Sequence, residues 1–422
     1  MVDNFSIEKA KILDNQDELS HFRNLFDVPK HNNYDSIYFS GNSLGLKLKK
    51  QNLYLDQELN DWGKMAVEGH YMAKTPWISY HKNLEGPTSR LVGAKKSEVV
   101  TMNGLSVNLH LLLTSFYNPT KEKFKILCEP HLFPSDLYIL KSQIELRGFD
   151  PEESIQFLPS DENGVVDNDE VLRIINNKRH SIALVFIGGV NYYTGQVFDI
   201  KKITETCRKN NIIAGFDLAH AAGNIELNLH KWGVDFAAWC SYKYLNSGPG
   251  NVSTIFVHEN QVKNKPFRLA GWWGHKLKNR FRLENKFSPI ESAESWQLSN
   301  APVFGMSIYR SSLELFDKIG MKNLIKKRIK LSSYLEEAIN SINTELDLKL
   351  KIITPGNAKT RGGQLSILVD GDGKAFYNFL RKSGVFLDWR DPNIFRLAVA
   401  PIYNSFEDIA RFHNLVINAF KK

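Results

Sequence analysis

The chain has 422 residues, 42% hydrophobic and 24% charged, a composition that supports one large and one smaller globular core and excludes an intrinsically disordered protein. Its net charge of +8 comes from 54 basic and 46 acidic residues scattered along the chain, which suits a solvated surface or an anionic ligand better than a nucleic-acid partner. No apolar run approaches the roughly 20 residues needed to span a bilayer, and the start lacks a basic stretch followed by an apolar one, so a cytoplasmic protein without membrane contact is expected. Cys128, Cys207 and Cys240 lie far apart and without CxxC spacing, so they read as buried reduced thiols, and no metal centre is implied.

Apolar residues at three- and four-residue steps predict an amphipathic helix over 6–26, interrupted near Asn15 and packed on the body. SIYFSGNSLGL, 36–46, reads as a short strand entering a glycine-bracketed turn where backbone can approach a ligand. A helical tract runs to about Glu68, and His70, Lys74 and Trp77 are expected in a loop. Residues 98–101 form a strand, after which MNGLSVNLHLLLTSF turns into an apolar helix. Ser106 at its start is either an anion-binding hydroxyl or a simple helix cap.

KILCE, 125–129, is a buried strand followed by a loop in which Phe133 is placed either to pack in the core or to stack on a flat ring. SIALVFI, 181–187, is another strand, its end at Gly188 opening a loop to Gln196, and 199–210 is the returning helix. Two further apolar runs end in chemistry: 212–216 stops at Asp217, with His220 just beyond, and 234–240 stops at Ser241-Tyr242-Lys243. Ligands of parallel sheets bind beyond the carboxyl ends of strands, so this acid and this lysine can converge on one small molecule. A lysine that forms an imine and a carboxylate that keeps a pyridine nitrogen protonated suit pyridoxal phosphate; both residues also read as ordinary solvated strand ends.

STIFVH, 253–258, is expected as an edge or reversed strand, and the aromatic and basic loops 270–282 and 296–300 carry more than packing. The basic run KNLIKKRIK, 322–330, reads as one wet helix face. Two helices over 305–343 lead to strands near 349–353 and 364–369 and a closing helix from Phe406, with Arg390 and Arg396 as candidates for a carboxylate fork or for pairing with a protein acid. The fold class expected is α/β, a large domain with a mostly parallel sheet covered by helices and a smaller α+β domain from the C-terminal part. The divisions expected are a helical segment over 1–60 that packs on both, a large cofactor-binding domain over 61–310 and a small domain over 311–422.

Along nearly its whole length the chain resembles the kynureninases, through YFSGNSLGL at 38–46, KTPW at 74–77, MNGLSVNLHLLL at 102–113, FPSD at 133–136, YYTGQ at 192–196, DLAHAAGN at 217–224, SYKYLNSGPG at 241–250, GWWGH at 271–275 and RLAVAPIYNSFED at 396–408. The resemblance implies the aspartate aminotransferase fold with a seven-stranded type of sheet, pyridoxal 5'-phosphate as an imine with Lys243, and a homodimer with active sites shared between subunits. It also implies hydrolysis of kynurenine or 3-hydroxykynurenine to alanine and an anthranilate. Carried over residue by residue, Asp217 matches the pyridine-nitrogen partner and Phe133 the stacking ring. Leu105, Ser106, Pro134, Ser135, Asp136, Gly188, His220, Tyr242, Trp272 and Asn300 match further cofactor contacts. Arg396 resembles the anchor of the substrate carboxylate, with His70 and Asn300 facing the aryl ring; Tyr242 is the candidate catalytic acid beside Lys243. Two positions depart from the usual pattern: Ser106 stands where threonine is usual, and Gly188 where serine is frequent. A desulfurase or aminotransferase of the same fold and a basic nucleic-acid-binding protein that retains a dead cofactor fold are the alternatives.

Overall fold

The computed structural model describes residues 4–282, 285–346 and 348–421. Its centre is a seven-stranded sheet. In chain order the strands are β1 Val99–Met102, β2 Lys125–Cys128, β3 Ile155–Phe157, β4 Ile182–Gly188, β5 Ile213–Asp217, β6 Phe236–Cys240 and β7 Ser253–Val257. Their spatial order is β1-β7-β6-β5-β4-β2-β3. The run from β6 to β3 is parallel, whereas β7 is antiparallel to both its neighbours. STIFVH is therefore reversed as expected, but it lies inside the sheet, with β1 beyond it at the edge.

Alternate residues of each strand go to opposite faces, and here both faces are apolar. Leu127, Val185, Ile187, Phe216 and Trp239 enter one cluster, while Ile126, Cys128, Leu184, Phe186 and Phe236 enter another. A sheet buried on both sides needs a helix layer on each. Helix Leu105–Phe116 packs against the second face, its Leu109, Leu111, Leu112 and Phe116 in that cluster, and helix Val303–Ile319 supplies Met306, Tyr309, Leu313 and Phe316 to the first. The layering is what exposes one end of the sheet, the carboxyl end of the parallel strands, to a ligand.

A second sheet of four antiparallel strands, β8 Leu350–Ile352, β9 Gln364–Val369, β10 Asp388–Arg390 and β11 Ile394–Ala398, has the order β8-β9-β11-β10. Its core joins Leu365, Ile367, Phe395 and Leu397 to Leu331, Leu335 and Ile339 of helix Met321–Leu346 and to Ile409, Phe412 and Val416 of helix Phe406–Phe420. The passage between the two cores lies inside helix Met321–Leu346, since Leu324 packs with the large core and Leu331 with the small one. That is later than the 310/311 division expected from sequence. The N-terminal segment also divides: Phe5, Ala10, Ile37 and Phe39 join the small core, and Leu19, Phe22, Phe26, Leu46 and Leu48 the large one.

Two local expectations are corrected. His70 sits in a short helix, Gly69–Met72, because Ala66 at φ 46 ends the preceding helix and Gly69 lets the Trp77 ring pack where a Cβ would lie 2.3 Å from it. In the basic run, Lys327 and Arg328 are buried rather than wet. Lys327 Nζ pairs with Asp17 at 2.7 Å, and Arg328 Nη1 donates to the Arg361 carbonyl at 2.7 Å. Burying those charges is tolerable only because each meets an acceptor.

Helix Lys82–Val92 carries one carboxyl poorly matched to its place. Burial, and then the charge of Glu294, push Glu85 up to about 7, and its Oε1 has no hydrogen-bond partner. Glu294 itself is drawn down to about 2, burial being outweighed by His81 and Lys82. A carboxyl whose folded value is raised stabilises the fold at low pH, and that contribution is lost as pH rises through about 7. Glu85→Gln is therefore expected to be more stable than the parent at pH 8 by about 1 kcal/mol, after discounting for partial exposure, with little difference at pH 5. Urea midpoints at the two pH values measure it, and an equal effect at both would contradict this origin.

Candidate active site

At the carboxyl ends of β2, β4, β5 and β6 lies a cleft of about 270 Å³, lined among others by Ser106, Phe133, Asp136, Asp217, Lys243 and Arg396. The strand register explains the convergence. Asp217, the last residue of β5, stands opposite Gly188 of β4 on one side and Ala238 of β6 on the other, and Lys243 follows a few residues after β6. The Lys243 loop is fixed by the glycine-bracketed turn at 41–46: Gly45 N donates to the Tyr242 carbonyl at 2.8 Å, and Asn246 Nδ2 donates to the Leu46 carbonyl at 3.0 Å. A Cβ on Gly45 would lie 2.4 Å from the Lys243 carbonyl, so only glycine permits this approach. Lys243 Nζ stands 5.7 Å from the centre of the Phe133 ring.

The floor is acidic. Asp217 Oδ1 accepts from Ala219 N at 2.8 Å, and its side chain is hydrogen-bonded to that of Asp136. Burial, then the neighbouring Asp217 charge, drive Asp136 well above the usual carboxylate range. Asp217 is raised less, because Lys243, the Asp136 hydrogen bond and the Ala219 amide oppose its burial. Asp136 therefore holds the shared proton more tightly than Asp217 does. Burial and the Lys243 charge hold His220 well below the ordinary imidazole range, so it is neutral, and its buried Nδ1 lacks a partner. Burial, reinforced by Cys240, raises Tyr242, which keeps its phenol proton at neutral pH.

At one wall two helix starts meet. Ser106, in the first turn of helix Leu105–Phe116, has its Oγ 3.1 Å from that of Ser135, in the first turn of helix Pro134–Leu146. Unpaired amides and the positive dipole ends of two helices, with hydroxyls between them, make an anion site. Arg396, which also lines the cleft, is 1% exposed, donates from Nη1 to the Tyr192 carbonyl at 2.7 Å and pairs through Nη2 with Asp388. Burial lowers it to about 10, which leaves it charged at neutral pH. Arg390 Nη2 reaches the same Asp388 oxygen at 3.1 Å, so both readings of these arginines meet in one place: they pair with a protein acid and line the cleft.

Leu105, Ser106, Phe133, Ser135, Asp136, Gly188, Asp217, His220, Tyr242, Lys243 and Arg396 all line this cleft. Pro134, between Phe133 and Ser135, begins its helix. The structure does not bring Trp272, Asn300 or His70 to it. Trp272 is 51% exposed and donates from Nε1 to the Arg280 carbonyl at 3.0 Å, Asn300 is exposed, and His70 Nδ1 lies 3.0 Å from the Val67 carbonyl. Asn42, Ser43, Glu129 and Tyr192 line the cleft without having been singled out. The first two lie in the glycine-bracketed turn expected to approach a ligand, and Glu129 directly follows the parallel strand β2.

Residues 54–388 match the family model for aminotransferase class V. A kynureninase of Flavobacterium psychrophilum is 48% identical over 414 residues, covering 97% of each chain. One of Koribacter versatilis is 44% identical over 413 residues, covering 97% of this chain and 96% of its own. Among solved structures, the apo cysteine desulfurase of Thermococcus onnurineus NA1 superposes with a TM-score of 0.74 at 18% identity, covering 92% of this chain and 95% of that one, a likeness of fold alone. By its sequence over nearly full length, and on a fold that places an acid and a lysine in one cleft, the chain belongs to the kynureninase family of class-V aminotransferase-like proteins.

Proposed function

We propose that the protein is a kynureninase that uses pyridoxal phosphate to hydrolyse the Cβ–Cγ bond of kynurenine, 3-hydroxykynurenine or both. The single observation that carries this reading is the buried Asp217 facing the same 270 Å³ cleft as Lys243. The residues present fit the cofactor: Lys243 to bind it covalently, Asp217 to meet its ring nitrogen, Phe133 its face, and Ser106 and Ser135 with the two helix starts its phosphate. When bound, pyridoxal phosphate supplies an electron sink for the bond that breaks.

The protein's own groups do the rest. Arg396, which keeps its charge despite burial, holds the substrate carboxylate. Lys243 Nζ takes the Cα proton and returns it, and Tyr242, which holds its phenol proton, donates to the carbon released from the aryl ketone. The balance is one water per turnover: its oxygen goes to the aromatic acid, and hydrogen to the β-carbon of alanine. A homodimer with shared sites accounts for Trp272, Asn300 and His70, which lie outside this chain's cleft. A reducing, cytoplasmic setting suits the free, buried Cys128, Cys207 and Cys240. The same burial argues against a desulfurase, which needs a reachable cysteine. No helix among the described residues is long and apolar enough to cross a membrane.

The reconstituted protein is expected to release a fluorescent anthranilate from kynurenine or its 3-hydroxy form and no sulfide from cysteine. Sulfide without anthranilate would replace this reading with the desulfurase one.

A further inference from the structure

Three carboxyl groups line the cleft, and the third is Glu129. It follows the last residue of β2 and is 4% exposed. Its Oε1 accepts from Gly188 N at 2.8 Å and its Oε2 from Asn191 Nδ2 at 2.8 Å, so it joins the end of β2 to the end of β4 and to the loop that carries Tyr192. Gly188 is the register partner of Asp217. The Gly188 backbone does not require glycine, since its φ is not among the positive values. The space matters: a Cβ there would lie 2.7 Å from Glu129 Oε1, so the carboxyl would have to shift.

We infer that Glu129 is a positioning residue for the cofactor linkage: seated in the space that Gly188 leaves open, its carboxyl adds to the acidic charge that Asp217 presents in the cleft. The inference rests on the cofactor reading above. The titratable groups that act on Glu129 or feel its charge are Asp217 at the end of β5, Asp136 in the first turn of helix Pro134–Leu146, Cys128 on its own strand and Tyr192 beyond β4. All are acids, and Lys243, a cation of the same cleft, acts on Asp217. Burial first, and Asp217 in the same direction, push Glu129 up to about 7, against the pull of the Asn191 and Gly188 donors. Near neutral pH it therefore gains or loses a charge in the cleft that it shares with Asp217. When charged, it adds to the negative field at the Lys243–cofactor linkage and favours the proton there; a neutral group at this place removes that contribution.

The test is a spectrophotometric pH titration of protein reconstituted with pyridoxal phosphate, reading the midpoint of the absorbance change of the Lys243–cofactor linkage. In Glu129→Gln that midpoint is expected to fall by about 0.5–1 unit. In Gly188→Ala the new methyl crowds the carboxyl off its donors, which raises its proton affinity, and the midpoint falls in the same direction by less. Combining the two gives no more than Glu129→Gln alone, because Ala at 188 acts through Glu129. A merely structural role would lower the melting temperature or cofactor occupancy and leave the midpoint in place. An unchanged midpoint in both single variants overturns the inference; if Glu129→Gln does not take up cofactor, Gly188→Ala decides by itself. A parent protein that never develops the linkage band overturns instead the cofactor reading on which this stands.

Discussion

Lys243→Ala is expected to lower turnover of kynurenine by on the order of 10⁴-fold or more while the protein stays folded. The side chain is replaceable structurally because the loop around it is held by other groups. Asn246 N donates to the Lys243 carbonyl at 3.1 Å, Gly45 N to that of Tyr242, and Gln51 Nε2 to that of Asn246 at 2.6 Å. None of these needs the lysine amine. Chemically nothing replaces it, since among the cleft residues Lys243 alone carries an amine; the other cations there, Arg390 and Arg396, are guanidinium groups that neither form the covalent link nor exchange protons readily near neutral pH. The variant mixed with pyridoxal phosphate should show the spectrum of the free aldehyde and release cofactor on gel filtration, with a melting temperature close to that of the parent apoprotein. A variant that still holds the cofactor covalently, with the parent's spectrum, would show that another amine does this work.

Asp217 and Lys243 were legible in the sequence for one physical reason: each terminates or closely follows an unbroken apolar run, and in a parallel sheet such a run is a strand whose carboxyl end faces the site. The same rule applied to KILCE would have singled out Glu129, but a glutamate followed by proline reads equally well as the first residue of a turn. β3 was missed because Ile155–Phe157 is a three-residue edge strand with no alternation to detect. β7 was seen as a reversed strand but not as an interior one, because strand order depends on which neighbours pair and no local pattern records that. Lys327 and Arg328 are spaced like a solvated helix face; their burial is imposed by Asp17 and by the Arg361 carbonyl, both distant in sequence. Trp272, Asn300 and His70 mark the limit of the resemblance as applied to one chain. The resemblance gives their identity, whereas a single copy gives their position, and that position is outside the cleft.

Asp217→Asn is expected to separate catalysis from stability. The amide keeps the shape, and its oxygen still accepts from Ala219 N, so the cleft geometry survives. What is lost is the carboxylate that keeps the cofactor nitrogen protonated; a missing, preorganised charge of this kind costs on the order of 100- to 1,000-fold in turnover. Stability moves the other way. Folding raises Asp217, so the contribution of its protonated form is present at low pH and is lost as pH rises through the folded value, leaving a charge buried in the cleft that Glu129 and Asp136 also line. Removing it relieves that crowding, and the apo variant should melt higher by about 1–3 °C at pH 7.5, with the gain shrinking as pH is lowered. Calorimetry of the apoproteins at two pH values, beside steady-state rates of the reconstituted ones, measures both halves. Unchanged turnover would remove Asp217 from the chemistry, whereas a lower melting temperature would mean that its charge, already matched by Lys243, costs the fold nothing.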